Sequence, residues 1–376
     1  METESAGPAA RTDAPPQDRE LLQRAVALGR RGWGRVHPNP MVGCVIVQDG
    51  EVVGEGWHRE YGEAHAEVGA LRAAGEKARD ATVYVSLEPC RHEGKTPPCT
   101  GALLEAKVAK LVFGARDPHP ESGGGAEELA AGGIRVDGPL LTEREARREN
   151  PAFFHREPER PWTALKLAIS LDGRIASRPG VRTAISGEAA GWEVQRLRAG
   201  FDAILVGTET VLVDDPLLTV RGPVEPRVPP IRVVMDARGR MSKGARLLNE
   251  GTSPAWVLTG SESPAAWRAG IEAAGGRIVD VPEVEKDRLA LDIAFRTLRQ
   301  EGVRSLLCEG GGVLGGALLE AGLVDRLYLV VGGAFLGRGG VPAFPGSPPA
   351  EGRWVPAEPP RLLGDDLWVV FDREEG

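Results

Sequence analysis

The chain has few cysteines, no excess of positive charge and no long apolar run, and each shortage excludes a class of protein. Four unevenly spaced cysteines in 376 residues do not form a disulfide framework. A net charge of −8 disfavours a surface that grips duplex DNA or tRNA, because such a surface needs basic patches to neutralise phosphates. It is compatible with a local cationic pocket for one phosphate. No run of about 18 apolar residues occurs, so we expect no membrane span.

The N-terminal residues 1–17 are rich in alanine and proline, carry acidic residues and lack an apolar stretch. This composition predicts a disordered tail rather than a signal peptide or an anchor. Two of the cysteines, Cys44 and Cys308, lie in apolar runs and are predicted to be buried strand residues. Without a disulfide framework, the chain is expected in the reducing cytoplasm.

The length of 376 residues exceeds what one hydrophobic core usually serves, which predicts two domains, both of the α/β class. We expect a first domain over 18–150, a linker rich in proline and charge over 151–161, and a second domain over 162–376. In the first, periodicity predicts helices from residue 18 and over 64–74, 100–106 and 143–150, and strands over 42–47, 52–57, 81–86, 110–114 and 134–136. In the second, it predicts strands over 162–169, 203–206, 231–235, 255–258, 305–308, 326–331 and 367–371, and a helix over 317–321.

One histidine and two cysteines form the most informative group, with His65 two residues before Glu67, and with Cys90 and Cys99 each directly after a proline. An imidazole and two thiolates make three ligands for Zn²⁺ and leave a fourth position open, as in catalytic zinc sites. Glu67 is not needed as a ligand and is placed to carry protons. Zinc deaminases of nucleobases use this arrangement, in which the metal activates water to attack an amine-bearing ring carbon. The alternative is a metal-free histidine and two cysteines scattered in a core.

The second half of the chain contains a glycine-rich segment over 308–317, between a predicted strand and a predicted helix. Its glycines match G-x-G-x-x-G, in which backbone amides approach a pyrophosphate at a helix start. No acidic residue follows at the Rossmann distance of about 20 residues, and the strand does not open the domain. Nucleotide binding on a non-Rossmann fold therefore fits better than a dinucleotide fingerprint. A tight turn without a ligand is the alternative.

A second polar segment, over 206–221, places hydroxyls, two carboxylates and an arginine on a loop after a predicted buried strand. Ligands in α/β proteins gather at such strand ends. The alternative is a capped helix with Asp214 and Asp215 facing solvent. Arg198 is either a surface charge or a phosphate clamp, and its spacing alone leaves both open.

From about residue 18 to the C-terminus, the chain resembles the bifunctional deaminase–reductase family of riboflavin biosynthesis. The motifs that carry the resemblance are residues 38–43 (PNPMVG), 65–67 (HAE), 87–90 (LEPC), 96–99 (TPPC), Lys166 with 170–174 (SLDGR), 214–216 (DDP) and 309–311 (EGG). Eight residues separate Cys90 from Cys99, as in this family, whereas many other nucleobase deaminases have two. That spacing favours this family over a tRNA-directed or cytidine-directed enzyme.

The resemblance implies a cytidine-deaminase-like three-layer α/β/α domain followed by a dihydrofolate-reductase-like α/β domain. The first would use Zn²⁺ to remove the amino group of 2,5-diamino-6-ribosylamino-4(3H)-pyrimidinone 5′-phosphate. The second would use NADPH to reduce the ribosyl group, giving 5-amino-6-(5-phosphoribitylamino)uracil. The partners implied are small phosphorylated pyrimidines, with no nucleic acid and no membrane, and with self-association into a homo-oligomer.

The resemblance also implies roles for individual residues. In the first half, His65, Cys90 and Cys99 would bind zinc, Glu67 would transfer protons, and Asn39 would hydrogen-bond the pyrimidine. In the second half, the implied substrate contacts are Arg182, Arg198, Leu218, Arg221 and Glu309, with Arg198 and Arg221 on the phosphate. The implied cofactor contacts are Lys166, Ile169, Ala184, Thr210, Asp214, Gly311, Gly312, Val313, Leu314, Gly315, Gly316 and Ala317. Lys166, Asp214 and Glu309 are candidates for assisting the opening of the ribose ring.

The chain departs from the family pattern in its second half. Where the family usually shows Ser-x-Trp-Ile-Thr-Gly, residues 182–187 read Arg-Thr-Ala-Ile-Ser-Gly, so Arg182 and Ala184 replace the serine and the aromatic. Ala237 stands where a serine is common. Arg182 is expected to compensate by gripping phosphate. These replacements leave one alternative function, an active deaminase joined to a weakened reductase. A second alternative is a zinc-stabilised nucleic-acid-binding module, but the acidic net charge argues against it.

Overall fold

The computed structural model describes residues 14–251, 253–346 and 352–374. The chain divides into two compact units, Met1–His155 and Arg156–Gly376, and this division falls inside the linker predicted over 151–161. The tail predicted over 1–17 lies outside the described residues except for its last four, and Pro16 already belongs to the first helix. Within the described ranges, no helix has the length and apolar character that crossing a bilayer requires.

The first unit is a five-stranded sheet with helices on both faces. Its order along the chain is α1 (Pro16–Gly29), β1 (Gly43–Gln48), β2 (Glu51–Trp57), α2 (Ala66–Ala74), β3 (Thr82–Leu87), α3 (Cys99–Ala106), β4 (Lys110–Ala115), α4 (Gly125–Ala131), β5 (Arg135–Asp137) and α5 (Glu143–Glu149). The strand order is β2-β1-β3-β4-β5. Strand β1 is antiparallel to both of its neighbours, whereas β3, β4 and β5 are parallel.

Successive side chains of each strand point to opposite faces of the sheet and so form the two core layers of this unit. Cys44 and Ile46 point into a cluster with residues of α2, α3 and α4, and their neighbours Val45 and Val47 point into a cluster with α1. Helix α2 lies very close to β2, because a Cβ atom on Gly56 would stand only 2.3 Å from the carbonyl oxygen of Ala66. These layers make the α/β/α arrangement that the family resemblance implies, and they bring the start of α2 to the end of the sheet.

The second unit is built on a ten-stranded sheet. Its helices are α6 (Glu188–Arg198), α7 (Thr208–Asp214), α8 (Arg246–Asn249), α9 (Ala265–Ala273), α10 (Leu291–Gln300) and α11 (Gly312–Glu320). Its strands are β6 (Trp162–Ser170), β7 (Arg174–Ala176), β8 (Ala203–Gly207), β9 (Ile231–Met235), β10 (Ala255–Thr259), β11 (Gly276–Asp280), β12 (Glu283–Glu285), β13 (Arg288–Leu289), β14 (Ser305–Cys308), β15 (Arg326–Gly332), β16 (Val341–Pro342), β17 (Trp354–Pro356), β18 (Arg361–Leu363) and β19 (Asp366–Arg373).

The strand order of the large sheet is β11-β10-β9-β8-β14-β6-β15-β19-β17, and β18 also pairs with β19. The neighbouring strands β11, β10, β9, β8, β14, β6 and β15 are all parallel to one another. Strand β19 runs antiparallel to β15. Helices α10 and α11 pack on one face and α7, α8 and α9 on the other. All the parallel strands therefore end at the same edge of the sheet, where ligands of α/β proteins bind.

Two expectations for the second unit need correction. The helix predicted over 317–321 begins at Gly312, so most of the glycine-rich segment is helix and not loop. Glycine disfavours helix, but a Cβ at Gly312 would lie 2.7 Å from the carbonyl oxygen of Pro342, so tertiary packing requires it there. The polar segment over 206–221 is likewise partly helical, because α7 occupies Thr208–Asp214.

Candidate active sites

Three side chains suited to a soft divalent metal meet at one end of the five-stranded sheet. His65 directly precedes α2, Cys99 is the first residue of α3, and Cys90 follows the end of β3 by three residues. The Nδ1 atom of His65 lies 3.5 Å from Sγ of Cys90 and 3.3 Å from Sγ of Cys99. Ligand atoms around tetrahedral zinc are separated by roughly 3.3–3.8 Å, given Zn–S and Zn–N bonds of about 2.3 and 2.0 Å. The donors therefore fit zinc, and no other such group occurs in the described ranges.

The electrostatics of this group favour negative charge on sulfur. A hydrogen bond from the thiol of Cys99 lowers the pKa of Cys90, and the same shared proton raises the pKa of Cys99. The backbone N–H of Cys99 also donates to Sγ of Cys90 at 3.5 Å. The pKa of His65 is raised by its hydrogen bond with Cys90, against the effect of burial. A thiolate stabilised in this way is ready to bind a metal.

Glu67 lies in the first turn of α2 and is only 3% exposed. Burial, and then the charge on Cys90, raise the pKa of Glu67 to about 7, while His65 opposes this shift. A carboxyl group with a pKa near neutrality both takes and gives a proton readily, which suits general acid–base catalysis.

His65, Glu67 and Cys90 line a cavity of about 310 Å³ whose walls also include Asn39, His58, Lys95 and Asp117. Nδ1 of His58 lies 3.3 Å from the carbonyl oxygen of Ala64, and its Nε2 lies 3.2 Å from Nδ2 of Asn39. Burial lowers the pKa of His58, although the Ala64 carbonyl opposes this, so the neutral ring donates to Ala64 and accepts from Asn39. This contact holds the Asn39 amide in one orientation.

The loop that contains Cys90 is anchored by Glu88. The buried carboxylate of Glu88 accepts hydrogen bonds from the backbone N–H groups of Asp117, Gly124 and Ala126 and from Arg116. The sequence analysis did not predict the hydrogen bonds that Glu88 accepts, the contact between His58 and Asn39, or the position of Lys95 in the cavity wall. A signal for His58 existed, since it directly follows a predicted strand.

A second cavity, of about 1060 Å³, lies at the ends of the parallel strands β8, β9 and β14 in the second unit. Of the residues predicted to contact the cofactor, those lining it are Lys166, Thr210, Asp214, Gly311, Gly312, Val313, Leu314 and Ala317. Of those predicted to contact the substrate, Arg182 and Glu309 line it. The start of α11 and the hydroxyl-bearing start of α7 thus share one cleft.

The other predicted residues of this half do not line the cavity: Ile169, Ala184, Arg198, Leu218, Arg221, Gly315 and Gly316. Gly315 packs on Leu165 of the sheet, and Gly316 packs on the backbone of Pro345, so both lie on faces of α11 turned away from the cavity. Leu218 is buried, whereas Ala184 and Arg221 are exposed.

Arg198 holds Glu309 in a buried, two-pronged ion pair. Its Nε and Nη2 atoms donate to the two carboxylate oxygens at 2.5 and 2.8 Å, and Nη1 donates to the carbonyl oxygen of Thr219 at 2.9 Å. Burial opposes ionisation of Glu309, but Arg198 and Lys166 outweigh it and hold the pKa of Glu309 below its usual value. The structure therefore gives Arg198 a partner within the protein, where the resemblance implied a phosphate.

We expect Arg198→Ala to lower the free energy of unfolding of the second unit by about 3 kcal/mol, because it leaves Glu309 charged and buried. Calorimetric unfolding measures the effect. The double variant Arg198→Met, Glu309→Gln should regain most of the loss, since no buried charge is left without a partner. An unchanged transition in Arg198→Ala would show that the pair does not stabilise this unit.

The two sites define a two-part enzyme class: a zinc-dependent nucleobase deaminase joined to an α/β reductase with a dinucleotide cleft. Residues 15–115 match the cytidine and deoxycytidylate deaminase zinc-binding region, and residues 161–359 match the RibD C-terminal domain. The chain belongs to the RibD family, the bifunctional deaminase–reductases of riboflavin biosynthesis, whose cofactors are Zn²⁺ and NADPH.

Individual relatives agree with this assignment. Riboflavin biosynthesis protein RibD of Escherichia coli (strain K12) is 42% identical over 334 residues, which is 85% of this chain and 89% of the relative. RibD of Aquifex aeolicus (strain VF5) is 35% identical, over 95% of this chain and 98% of the relative. The structure of Acinetobacter baumannii RibD superposes with a TM-score of 0.81 at 34% identity, covering 96% of this chain and 99% of that chain.

The structure of a Thermotoga maritima diaminohydroxyphosphoribosylaminopyrimidine deaminase/5-amino-6-(5-phosphoribosylamino)uracil reductase gives a TM-score of 0.77 at 31% identity, covering 95% and 98% of the two chains. These comparisons confirm the predicted fold class, with its cytidine-deaminase-like and dihydrofolate-reductase-like parts. They also confirm the two predicted enzyme activities and both predicted cofactors.

Proposed function

We propose that the two cavities catalyse successive reactions on one phosphorylated pyrimidine. The first cavity deaminates 2,5-diamino-6-ribosylamino-4(3H)-pyrimidinone 5′-phosphate, and the second reduces the ribosyl side chain of the product to give 5-amino-6-(5-phosphoribitylamino)uracil. The observation that carries the proposal is the convergence of His65, Cys90 and Cys99 beside the buried Glu67. The name of the Thermotoga maritima relative, which states both activities, supports it.

In the first cavity, His65, Cys90 and Cys99 would hold Zn²⁺, which when bound activates water for attack on an amine-bearing ring carbon. Glu67 takes a proton from the attacking water and passes protons to the ring nitrogen and to the departing ammonia. Asn39 hydrogen-bonds the pyrimidine in the orientation that His58 imposes. We assign the substrate phosphate to Lys95, a cation of the cavity wall whose Nζ lies 4.2 Å from the ring centroid of Tyr61.

In the second cavity, NADPH would lie along the start of α11 and supply hydride to C1 of the sugar. Lys166, on β6, and Glu309, directly after β14, both line this cleft. Burial and Arg198 lower the pKa of Lys166, while Glu309 opposes them, so Lys166 gives up a proton more easily than an ordinary lysine. We assign Lys166 to protonating the ribose ring oxygen as the ring opens, with Glu309 as its acidic neighbour and Asp214 elsewhere on the wall of the same cavity. The side chain of Arg182 is exposed, and its Nε lies 3.9 Å from Oδ1 of Asp214. We assign it to binding the substrate phosphate.

We further propose that residues 18–150 form the deaminase domain and 162–376 the reductase domain, joined by 151–161. The four unpaired cysteines support a reducing, cytoplasmic location. Exposed apolar side chains, among them Phe335 and Leu362, support self-association into a homo-oligomer.

A direct assay tests the two-step function. Protein supplied with the deaminated intermediate should oxidise NADPH, followed by the loss of NADPH absorbance, and should release ammonia from the diamino substrate. The Glu67→Gln variant is the control, because it should still oxidise NADPH with the deaminated intermediate. Ammonia release without any NADPH oxidation would contradict the proposal and favour the weakened-reductase alternative, which the replacements at Arg182 and Ala184 motivate.

A further inference from the structure

We propose that Asn150 is a positioning residue for the deaminase reaction, because it fixes the loop that presents Asn39 to the pyrimidine. This inference rests on the proposed deamination and adds a residue outside the cavity that acts through one inside it. Asn39 lines the cavity of about 310 Å³, whereas Asn150, directly after the end of α5, does not. Met41, two residues after Asn39, connects them.

The loop that carries Asn39 lacks two backbone donors. Pro38 and Pro40 flank Asn39, and proline has no N–H. The N–H of Asn39 donates back to the carbonyl oxygen of Val36 at 2.9 Å. After Asn39, the first N–H that is able to hold the loop in place is therefore that of Met41.

The side chain of Asn150 holds Met41 by both of its polar groups. The backbone N–H of Met41 donates to Oδ1 of Asn150 at 2.7 Å, and Nδ2 of Asn150 donates to the carbonyl oxygen of Met41 at 3.1 Å. Two residues on antiparallel strands exchange the same pair of bonds, and here one side chain makes both. Asparagine carries a donor and an acceptor on one short side chain, which a carboxylate or an amine does not. The two bonds fix the orientation of Met41 as well as its position.

Asn150 is able to hold Met41 in place because its own backbone is fixed. As the C-terminal cap of α5, Asn150 donates its N–H to the carbonyl oxygen of Ala146 at 3.1 Å. The preceding residue, Glu149, accepts two hydrogen bonds of 2.7 Å from Arg30, which directly follows α1. The end of α5 is thus attached to the end of a second helix, and the Asn150 side chain starts from a defined position.

The turn after Asn150 reaches the same cavity. The carbonyl oxygen of Asn150 accepts a hydrogen bond from the N–H of Phe153 at 3.1 Å, and Phe153 lines the cavity. The ring of Phe153 meets the ring of His119 edge to face, with 4.8 Å between their centroids. Phe153 and Val42, which also lines the cavity, pack against one apolar cluster. Asn150 therefore joins two parts of the cavity wall, the loop before β1 and the turn after α5.

The zinc donors do not share this contact. His65 and Cys99 lie at the starts of α2 and α3, and the loop of Cys90 is anchored by Glu88. Loss of the Asn150 side chain should therefore weaken the contact with the pyrimidine while the metal donors stay in place. Such a change raises the KM for the substrate more than it lowers kcat.

Steady-state ammonia release from the diamino substrate tests the inference. We expect Asn150→Ala to raise KM roughly tenfold, because two hydrogen bonds are lost, while kcat changes less than about threefold. Zinc content by elemental analysis should equal that of the wild type. Asn249→Ala is the matched control, since Asn249 ends α8 in the second unit and its Nδ2 donates to the backbone carbonyl oxygens of Lys243 and Ala245 at 3.0 Å. This control should leave the KM for ammonia release unchanged.

Two further variants separate the two hydrogen bonds from the size of the side chain. Asn150→Asp keeps the acceptor for the N–H of Met41 but loses the donor to its carbonyl oxygen, so KM should rise nearly as far as in Asn150→Ala. Asn150→Gln keeps both groups on a longer side chain and should recover part of the affinity. If Asn150→Ala does not keep its zinc, the nearly isosteric Asn150→Asp variant gives the same comparison.

A double-variant cycle shows whether Asn150 acts through Asn39. Asn39→Ala should raise KM by itself, and adding Asn150→Ala should raise it less than about twofold further, because the contact that Asn150 positions is already gone. Three results would overturn the inference alone: effects on KM that multiply in full, an unchanged KM in Asn150→Ala, or loss of zinc in both Asn150→Ala and Asn150→Asp. A wild-type protein that releases no ammonia from the diamino substrate would overturn the proposed deaminase itself.

Discussion

Glu67→Gln should keep its zinc and lose ammonia release by roughly 10²–10⁴-fold. Glutamine has nearly the same size as glutamate and keeps a polar group beside Cys99, so the metal donors stay in place. It has no titratable proton, however, and the proposed mechanism needs a group that first takes a proton from water and then returns it to the leaving amine. The pKa of about 7 that burial gives Glu67 suits both steps.

Two measurements on the purified variant separate this role from a structural one. Elemental analysis should find the same zinc content as in the wild type, and the ammonia assay should find almost no product. Glu76→Gln, an exposed carboxyl just past the end of α2, is the matched control and should behave like the wild type. Near-normal turnover in Glu67→Gln would refute the assignment of Glu67 as the proton carrier.

Cys90→Ser should lose the metal and, with it, the deaminase activity. The Cys90 thiolate is stabilised by the Cys99 thiol and backbone N–H and by His65, whereas a serine hydroxyl stays protonated near neutral pH and binds zinc poorly. Replacing even an outer-shell partner costs a metal site about 10–100-fold in affinity, so removing a direct ligand should cost more. Zinc content after dialysis and ammonia release should fall together.

The reductase activity of the Cys90→Ser variant is an internal control. NADPH oxidation with the deaminated intermediate should persist in Cys90→Ser, because the reductase cavity is lined by residues of the second unit only. Cys308→Ala removes a buried thiol from that unit and should retain full zinc content. Stoichiometric zinc in Cys90→Ser would show that the ligand assignment is wrong.

The predicted strands of both units were confirmed to within about two residues, because each lies in a short apolar run bounded by turn residues. Helix boundaries were harder to predict. The start of α11 was predicted five residues too late, because glycine has a low helix propensity. Gly312 is helical because the backbone of Pro342 and Ala343 packs too close to it for any larger residue, and the sequence does not show this contact. Helix α4 was missed because its sequence, GAEELAA, offers little apolar periodicity.

The identity of the zinc donors, the two-part α/β organisation and the family could all be read from the printed residues, because donor chemistry and short motifs are local properties. Three other features could not be read from the sequence: which glycines of α11 face the cleft, which carboxylate pairs with Arg198, and which histidine orients Asn39. Arg198, the last residue of α6, and Glu309, which directly follows β14, are 111 residues apart in the chain and meet only in the tertiary structure. Residue types specify what a side chain is able to bind, whereas strand order and packing specify what it reaches.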